Sequence, residues 1–439
     1  MTLQIRLLLS GFLAITFVAG SACVTQPNTN NSAPPVTQTT PAPTPAASPA
    51  TTANVQITLP LLDALLTDEA FERELKNKVK LSDEQVASLK RVSEAEINRL
   101  RESNVEEANG EEAKGDATQD TNGTGPSAST RAAEELRSIL GAEKATQLAA
   151  FANEYWAKGD PNAEGAGATG VEMLKGPNAI PTDTRVVVNI PAFRMDLFQS
   201  GSLVKSYKIG IGYPEFPLPF GLRKVQTVIF NPSWTPPDSP WVAKIKNATP
   251  GETIEPGSKD NPLGIIKIPI GLPSLIHGGK APAKIGKFAS HGCVGLTNAQ
   301  VKDFATLLLR AANKDVSDQE IAKYLEDKTE TKTVKLEGTI PVELRYETIV
   351  LEDGKLHIYK DVYAQDTNTE ENLRRVLEAH GMRLEDLSAE QRQQALAALA
   401  KPSGAEVAID TGQAGKGYPS PVNLDDGKGK PQSRKKKSG

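Results

Sequence analysis

Apolar and polar positions along this chain change their period twice, from helical to alternating and back to helical. Between 57 and 105 the spacing predicts helix, with Val86, Leu89, Val92 and Ile97 recurring on one face. Ser82-Asp83-Glu84-Gln85 reads as a capping box for that stretch. An acidic, Gly-rich break follows from about Ala108 to Ser129. A second helical stretch runs from Arg131 to Trp156, and its Leu136, Ile139, Leu140, Leu148 and Phe151 are expected to pack on the first. The helical region thus spans 57–160.

From Thr184 the texture becomes that of strands. Arg185–Ile190, Arg194–Gln199 and Leu203–Ile211 are rich in Val, Ile, Leu and Phe, with a turn at Ser200-Gly201. Further strands are expected at Lys224–Phe230, Gly264–Ile268 and Ser274–His277. Asn298 to Asn313 reads as helix, and Ser317-Asp318-Gln319-Glu320 caps another. Val342–Leu351 and Lys355–Tyr359, joined by Asp353-Gly354, form a predicted hairpin. Residues 367–400 return to helix, with capping boxes at Thr367/Glu370 and Ser388/Gln391.

The two ends differ in composition from what they flank. Arg6, the apolar run Leu7 to Ala19 and then Gly20-Ser21-Ala22-Cys23 read as an export signal over 1–23. The apolar run is too short to span a bilayer as a mature helix. The small residues before Cys23 resemble a bacterial lipobox, which implies lipidation at Cys23. Gly20 departs from the usual Leu, Val or Ile, and a plain secretory signal cut after Ala22 is the alternative. Either way the protein is expected in the cell envelope outside the cytoplasm, as a membrane-anchored periplasmic lipoprotein if Cys23 carries the lipid. Residues 24–56 are Pro/Thr-rich and nearly uncharged, which fits a flexible linker. The tail 401–439 is Gly/Pro/Lys-rich, ends in Arg434-Lys435-Lys436-Lys437 and is expected to be disordered.

A net charge of −4 gives no electrostatic case for binding nucleic acid. Of the two cysteines, only Cys293 lies beyond the signal, so no intramolecular disulfide can form in the mature chain, and a free thiol is favoured. His277, His291 and Cys293 fall within seventeen positions, as His277-Gly278-Gly279 and Ser290-His291-Gly292-Cys293. A thiol needs to become a thiolate to act as a nucleophile, and a histidine is the usual proton acceptor. His277 ends a predicted strand and can reach across to the sulfur, whereas His291 stands beside it. Gly292 allows a backbone shape that could aim amides at an oxyanion. A buried structural cysteine or a Cys/His metal site are the alternatives, although no C-x-x-C or H-x-x-x-H spacing is present. On spacing alone, catalysis and a structural role stay equally open.

The stretch from His277 through Ile285-Gly286 to Cys293 resembles the signature of the L,D-transpeptidases, HGT…P.SIG…SHGC. Asn231-Pro232-Ser233-Trp234-Thr235-Pro236-Pro237 and Asn261-Pro262-Leu263-Gly264 are similar to two more hallmarks, NPxWxxP and NPLG, and the segment ending in DGKLHIYKDVY is similar to the terminal hairpin. The resemblance covers 184–366.

It implies a mainly β catalytic domain, a β-sandwich or barrel with short helices, flanked by α-helical segments and disordered termini. It implies peptidoglycan stem peptides as donor and acceptor. On that reading Cys293 attacks the L,D bond after the third stem residue, D-alanine leaves, and an amine resolves the thioester into a 3→3 cross-link. His277 is then the proton acceptor and donor, with the Gly278 carbonyl orienting its ring. Ser290, His291 and Gly292 shape the pocket and oxyanion site, and neither metal nor organic cofactor is expected. Many members carry Arg two residues after the cysteine, where this chain has Gly295, so a carboxylate-binding fork is lost and substrate choice is put in question. Trp234 and the Pro-rich run to Trp241 line the donor groove or simply pack a loop. An L,D-carboxypeptidase using water as acceptor, or a non-catalytic wall-binding lipoprotein, are the competing functions.

Overall fold

The computed structural model describes residues 57–109, 128–158, 172–271 apart from 238, 240, 241, 243, 244 and 246, and then 274–312, 316–401 and 406–429. The signal, Cys23 and the linker lie outside the described residues, as do most of the acidic break and Trp241.

The first helical stretch divides into three helices, α1 (Leu59–Leu66), α2 (Glu69–Val79) and α3 (Asp83–Asn109). Thr58 and Asp68 cap the first two, and Lys80 at φ 56° ends α2 in the left-handed region. The expected box at the start of α3 is present, with Ser82 and Gln85 exchanging bonds of 3.2 Å in both directions. α4 (Ala128–Lys158) breaks at Gly141, where φ is 77°. Leu136, Leu140, Leu148 and Phe151 are buried, and Phe71, Phe151 and Tyr155 form an aromatic knot with centroids 5.0 to 5.8 Å apart. None of the helices among the described residues is long and apolar enough to cross a membrane.

The strands are β1 (Arg185–Asn189), β2 (Arg194–Gln199), β3 (Ser202–Lys208), β4 (Ile211–Gly212), β5 (Gly221–Phe230), β6 (Ile266–Pro269), β7 (Leu275–His277), β8 (Phe288–Ser290), β9 (Val294–Gly295) and β10 (Lys332–Arg345). Eight of them form one sheet in the order β3-β2-β1-β10-β5-β6-β7-β9. The sheet curls until Gly210, just past β3, exchanges hydrogen bonds of 2.8 and 2.9 Å with Gly295 on the far edge. β4 and β8 pair in parallel beside that seam. α5 (Asn298–Ala311), with a Thr297/Gln300 capping box, buries Val301, Phe304 and Leu308 in the core. α6 (Asp318–Glu326) carries the expected Ser317/Glu320 box. The mainly β domain with helical flanks is therefore what the chain builds.

Three expectations are corrected near the C-terminus. The strand expected over Val342–Leu351 is broken: β10 ends at Arg345 and β11 (Ile349–Glu352) begins a second sheet. β10 also starts well before the expected strand, at Lys332, because Lys332–Lys335 already pairs with β5 before a register shift. The hairpin itself is present, β11 turning through Asp353 (φ 45°) and Gly354 (φ 78°) into β12 (Lys355–Ile358). In α7 (Glu370–Ala379) the cap is Thr369, whose hydroxyl takes the Asn372 amide at 3.1 Å; Thr367 instead meets Thr348. α8 (Ala389–Leu399) has the expected Ser388/Gln391 box.

The third correction concerns the tail. Residues 406–429 are ordered: β13 (Val407–Asp410) pairs antiparallel with β12, closing a three-stranded sheet that α7 and α8 cover. Beyond it, Asp425 and Val422 bond to Ser206 and Lys208 along the edge of β3 at 2.9 to 3.0 Å. Tyr418 is buried against Phe198, and its hydroxyl reaches Asp196 at 3.2 Å. A composition poor in apolar residues hid this order, because main-chain bonds to a free strand edge supply much of it.

Candidate active site

Two short strands lying side by side bring the segments that carry His277 and Cys293 together. β7 and β9 are parallel, with Ile276 opposite Val294 and His277 opposite Gly295, and the Leu296 amide donates to the His277 carbonyl at 2.8 Å. His277 ends β7 and Cys293 immediately precedes β9, so a long step in sequence becomes adjacency across one strand pair. Cys293 is a free, partly buried thiol, and the Leu275 amide, two residues before the histidine, favours its thiolate.

Side chains from three motifs hold this corner. Ser290 Oγ donates to the Cys293 carbonyl at 2.5 Å and accepts the Cys293 amide at 3.2 Å, closing the turn in which Gly292 sits at φ 86°. The Cys293 amide is thus engaged with Ser290, and the turn's shape is set before any substrate arrives. On the histidine side, Asn298 Oδ1 accepts the amides of Gly279 (2.9 Å) and Ile265 (3.2 Å). A Cβ on Gly264 would fall 2.2 Å from that oxygen and 2.3 Å from the Gly279 nitrogen, so these two backbone turns approach as only glycine permits. Asn261 donates to the Pro232 carbonyl at 2.7 Å, and Asn231 donates to the carbonyls of Tyr324, Asp327 and Glu330 at 2.7 to 3.1 Å. The asparagines of both Asn-Pro motifs are therefore braces beneath the site.

Electrostatics favour neutral partners at rest. His277 is 3% exposed, and burial, with Lys280 adding to it, pushes its pKa down to about 3 against the opposing carbonyls of Gly278 and Leu263. Its Nδ1 lies 2.8 Å from the Gly278 oxygen. A carbonyl only accepts, so Nδ1 carries the proton of the neutral ring and Nε2 keeps its lone pair, the form a base requires. Burial raises the Cys293 thiol above its ordinary range, while the Leu275 amide and Lys280 pull it back. A thiol and a neutral imidazole thus stand on adjoining segments, in the protonation states that a nucleophile and a base would start from.

The ring of His291 packs between Tyr213 (5.3 Å) and Phe216 (5.1 Å). The loop bearing those rings is pinned by Tyr363, whose hydroxyl donates to the Gly212 carbonyl at 2.8 Å and accepts the Leu218 amide at 3.1 Å. Thr58 of the helical region donates to the Glu215 carbonyl of the same loop at 2.9 Å. Trp234 follows β5, bridges to Ile254 through its backbone and is buried, as a packing residue is. Gly295 is buried under the Lys280 side chain. Sequence reasoning missed Lys280, Asn298, Tyr213, Phe216 and Tyr363. Only Asn298 left a signal, as a polar residue opening α5 right after its cap. Among the described residues no three His, Cys, Asp or Glu side chains converge as metal ligands would.

Comparison with known proteins fits this geometry. Residues 183–340 match the family model described as YkuD, the L,D-transpeptidase catalytic domain. The chain is 32% identical over 119 residues to the Escherichia coli K12 protein "Probable L,D-transpeptidase YbiS", covering 27% of this chain and 39% of that one. Against "Probable L,D-transpeptidase ErfK/SrfK" of the same strain it is 32% identical over 122 residues, 27% of this chain and 38% of the relative. The chain thus spans about two-fifths of the length of these relatives. Among solved structures, the catalytic domain of the Enterococcus faecium L,D-transpeptidase aligns at 16% identity and a TM-score of 0.24, over 38% of this chain and all of that one. With His277 and Cys293 both inside the matched stretch, the curled-sheet domain belongs to the L,D-transpeptidase catalytic domain family.

Proposed function

We propose that this protein is an L,D-transpeptidase acting on peptidoglycan stem peptides through Cys293. The observation that carries the reading is the pairing of β7 with β9, which brings the segments that carry His277 and Cys293 together within the matched stretch. In the acylation step the thiol proton passes to His277 Nε2 and the sulfur attacks the carbonyl carbon of the L,D amide. A C–S bond forms as the C–N bond breaks, and D-alanine leaves with the proton returned by His277. The amine of a neighbouring stem then attacks the thioester, its proton goes back through His277 to the sulfur, and a 3→3 link results.

On the same reading the protein works in the cell envelope outside the cytoplasm. Lipidation at Cys23 would tether it to a membrane, and residues 24–56 would give it reach. Acyl mass at Cys23 in purified full-length protein, lost in Cys23→Ser, is the expected result; an unacylated N-terminus at Cys23 in a soluble fraction would reject the anchor.

The enzymatic test is mass spectrometry of muropeptides after purified sacculi are incubated with the full chain. New 3→3 dimers are expected, and none with Cys293→Ala. Shortened stems without dimers would mean that water is the acceptor, and unchanged sacculi would mean binding alone.

A further inference from the structure

Gly295 leaves a gap two residues after the nucleophile, and the structure fills it from another segment. A Cβ built on Gly295 would lie 2.9 Å from both Cγ and Cε of Lys280 and 3.4 Å from its Cδ. The lysine stem therefore runs along the face of Gly295, in the space any side chain at that position would take. Its backbone is fixed there, since the Lys280 amide donates to the Leu296 carbonyl at 3.0 Å. Gly295 is itself clamped by the two hydrogen bonds to Gly210. The ammonium consequently ends in the corner between β7 and β9, near enough for its charge to act on both Cys293 and His277.

From this arrangement we infer that Lys280 supplies the cation of the active site, lying over Gly295 and stabilising the Cys293 thiolate. The inference rests on the reading of Cys293 as the nucleophile. The charge balance of the corner makes the role specific. At rest His277 is held neutral by burial, so before the proton moves the positive charge standing by the thiol is that of Lys280. The other groups acting on Lys280 are Cys293, from the turn before β9, and Lys284, from the one-turn helix Pro282–Lys284. Burial and Lys284 push the ammonium down, and the thiolate draws it up. A partly buried ammonium with a thiolate beside it is the arrangement in which each charge makes the other less costly. Lys280 needs no contact with substrate to do this; it is a positioning residue acting on the sulfur.

The test reads the thiol directly and needs no peptidoglycan. The rate at which iodoacetamide alkylates Cys293 is followed against pH in the full chain, with folding checked by near-ultraviolet circular dichroism. In Lys280→Met, which keeps the stem and removes the charge, alkylation at pH 8 is expected to fall on the order of tenfold, with the profile moved up by about one unit. Lys280→Arg should return most of the rate. Gly295→Ala keeps the lysine but forces its stem away, and should shift the profile in the same direction by less. It serves as the second arm should Lys280→Met fail to fold. In acyl transfer the loss should fall on kcat with KM little changed. A profile that stays put in both Lys280→Met and Gly295→Ala overturns the inference, as does a rise in KM alone. The wider reading of function fails separately, if Cys293→Ala still cross-links sacculi.

Discussion

The corner at β7 and β9 and the C-terminal sheet β11-β12-β13 are both held by buried polar side chains, yet they reach that state by opposite routes. In the corner the bonds next to the reactive groups are local, Ser290 to Cys293 and His277 to Gly278, with Asn298 reaching in from the start of α5 to brace Gly279 and Ile265. The C-terminal sheet is joined to the main one across long sequence separations. Arg194 pairs with Asp196 at 2.9 Å and with Glu352, and it donates to the Pro419 carbonyl at 3.0 Å. Within the main sheet, Arg185 on β1 and Glu343 and Arg345 on β10 form a further buried chain at 2.6 and 2.9 Å. Buried pairs of this kind contribute less to net stability than to fixing which surfaces meet, because desolvation offsets much of their attraction. On the proposed reading the first region is a prearranged reactive site, and the second is a latch.

That contrast predicts different failures. The largest effect is expected in the corner. His277→Ala should lower the acylation rate by about a hundred- to ten-thousandfold with the fold intact, as lost general-base catalysis does. His291→Ala should cost much less, because the ring packs against Tyr213 and Phe216. Single-turnover acylation of both variants checks this; a larger loss at His291 would reverse the assignment of the base.

The latch should fail through stability instead. A chain stopped after Ala400 loses β13, the buried Ile409 and Tyr418, and the bonds along β3. Two buried side chains of that size imply a loss of about 3 kcal/mol or more. Urea denaturation of the truncated chain measures it. An unchanged midpoint would mean that the tail is dispensable after all.

The same contrast explains what can be read from the sequence. Cys293 and His277 stand out in the sequence as a cysteine and a histidine within seventeen positions, but their roles and that of the Gly278 carbonyl are legible only through the resemblance to the L,D-transpeptidases. The helices of the first region and most strands follow from apolar period. The tail and the extended β10 are not legible, since a strand that pairs with a distant edge needs few apolar residues of its own. Lys280 is hidden for a related reason. A lysine just after His277-Gly278-Gly279 looks like surface charge. Only the missing side chain at Gly295, on a different strand, gives its stem somewhere to lie.

A smaller effect separates the regions by pH. Free histidine titrates near 6.5, whereas His277 is held down to about 3. Between those values the unfolded chain binds a proton that the folded chain refuses, so stability rises with pH across this window and is lost as pH falls below about 6.5. At one proton the slope is about 1.4 kcal/mol per unit, or about 2 kcal/mol by pH 5. His380, also lowered by burial, adds in the same direction. The difference between wild type and His277→Gln isolates the contribution of His277: the variant should lose less stability from pH 7 to pH 5. Equal losses would mean that His277 is not penalised by its burial.

The smallest effect is expected at Asn298, where the corner's geometry and its stability can be told apart. Its side-chain oxygen joins the Gly279 and Ile265 amides, one on each of the two turns that Gly264 brings together. Asn298 is exposed, so water can replace the lost acceptor, and Asn298→Ala should cost only about 1 kcal/mol in thermal or urea unfolding. The two turns would no longer share one acceptor, however, and His277 directly precedes the first of them. A severalfold fall in kcat is therefore expected alongside a nearly unchanged midpoint, because small displacements of a base lower the rate more than they lower stability. Asn298→Asp keeps an acceptor at the same place and should recover most of the rate. If Asn298→Ala leaves kcat untouched, the turn is held by its backbone alone, and the brace beneath His277 is not Asn298.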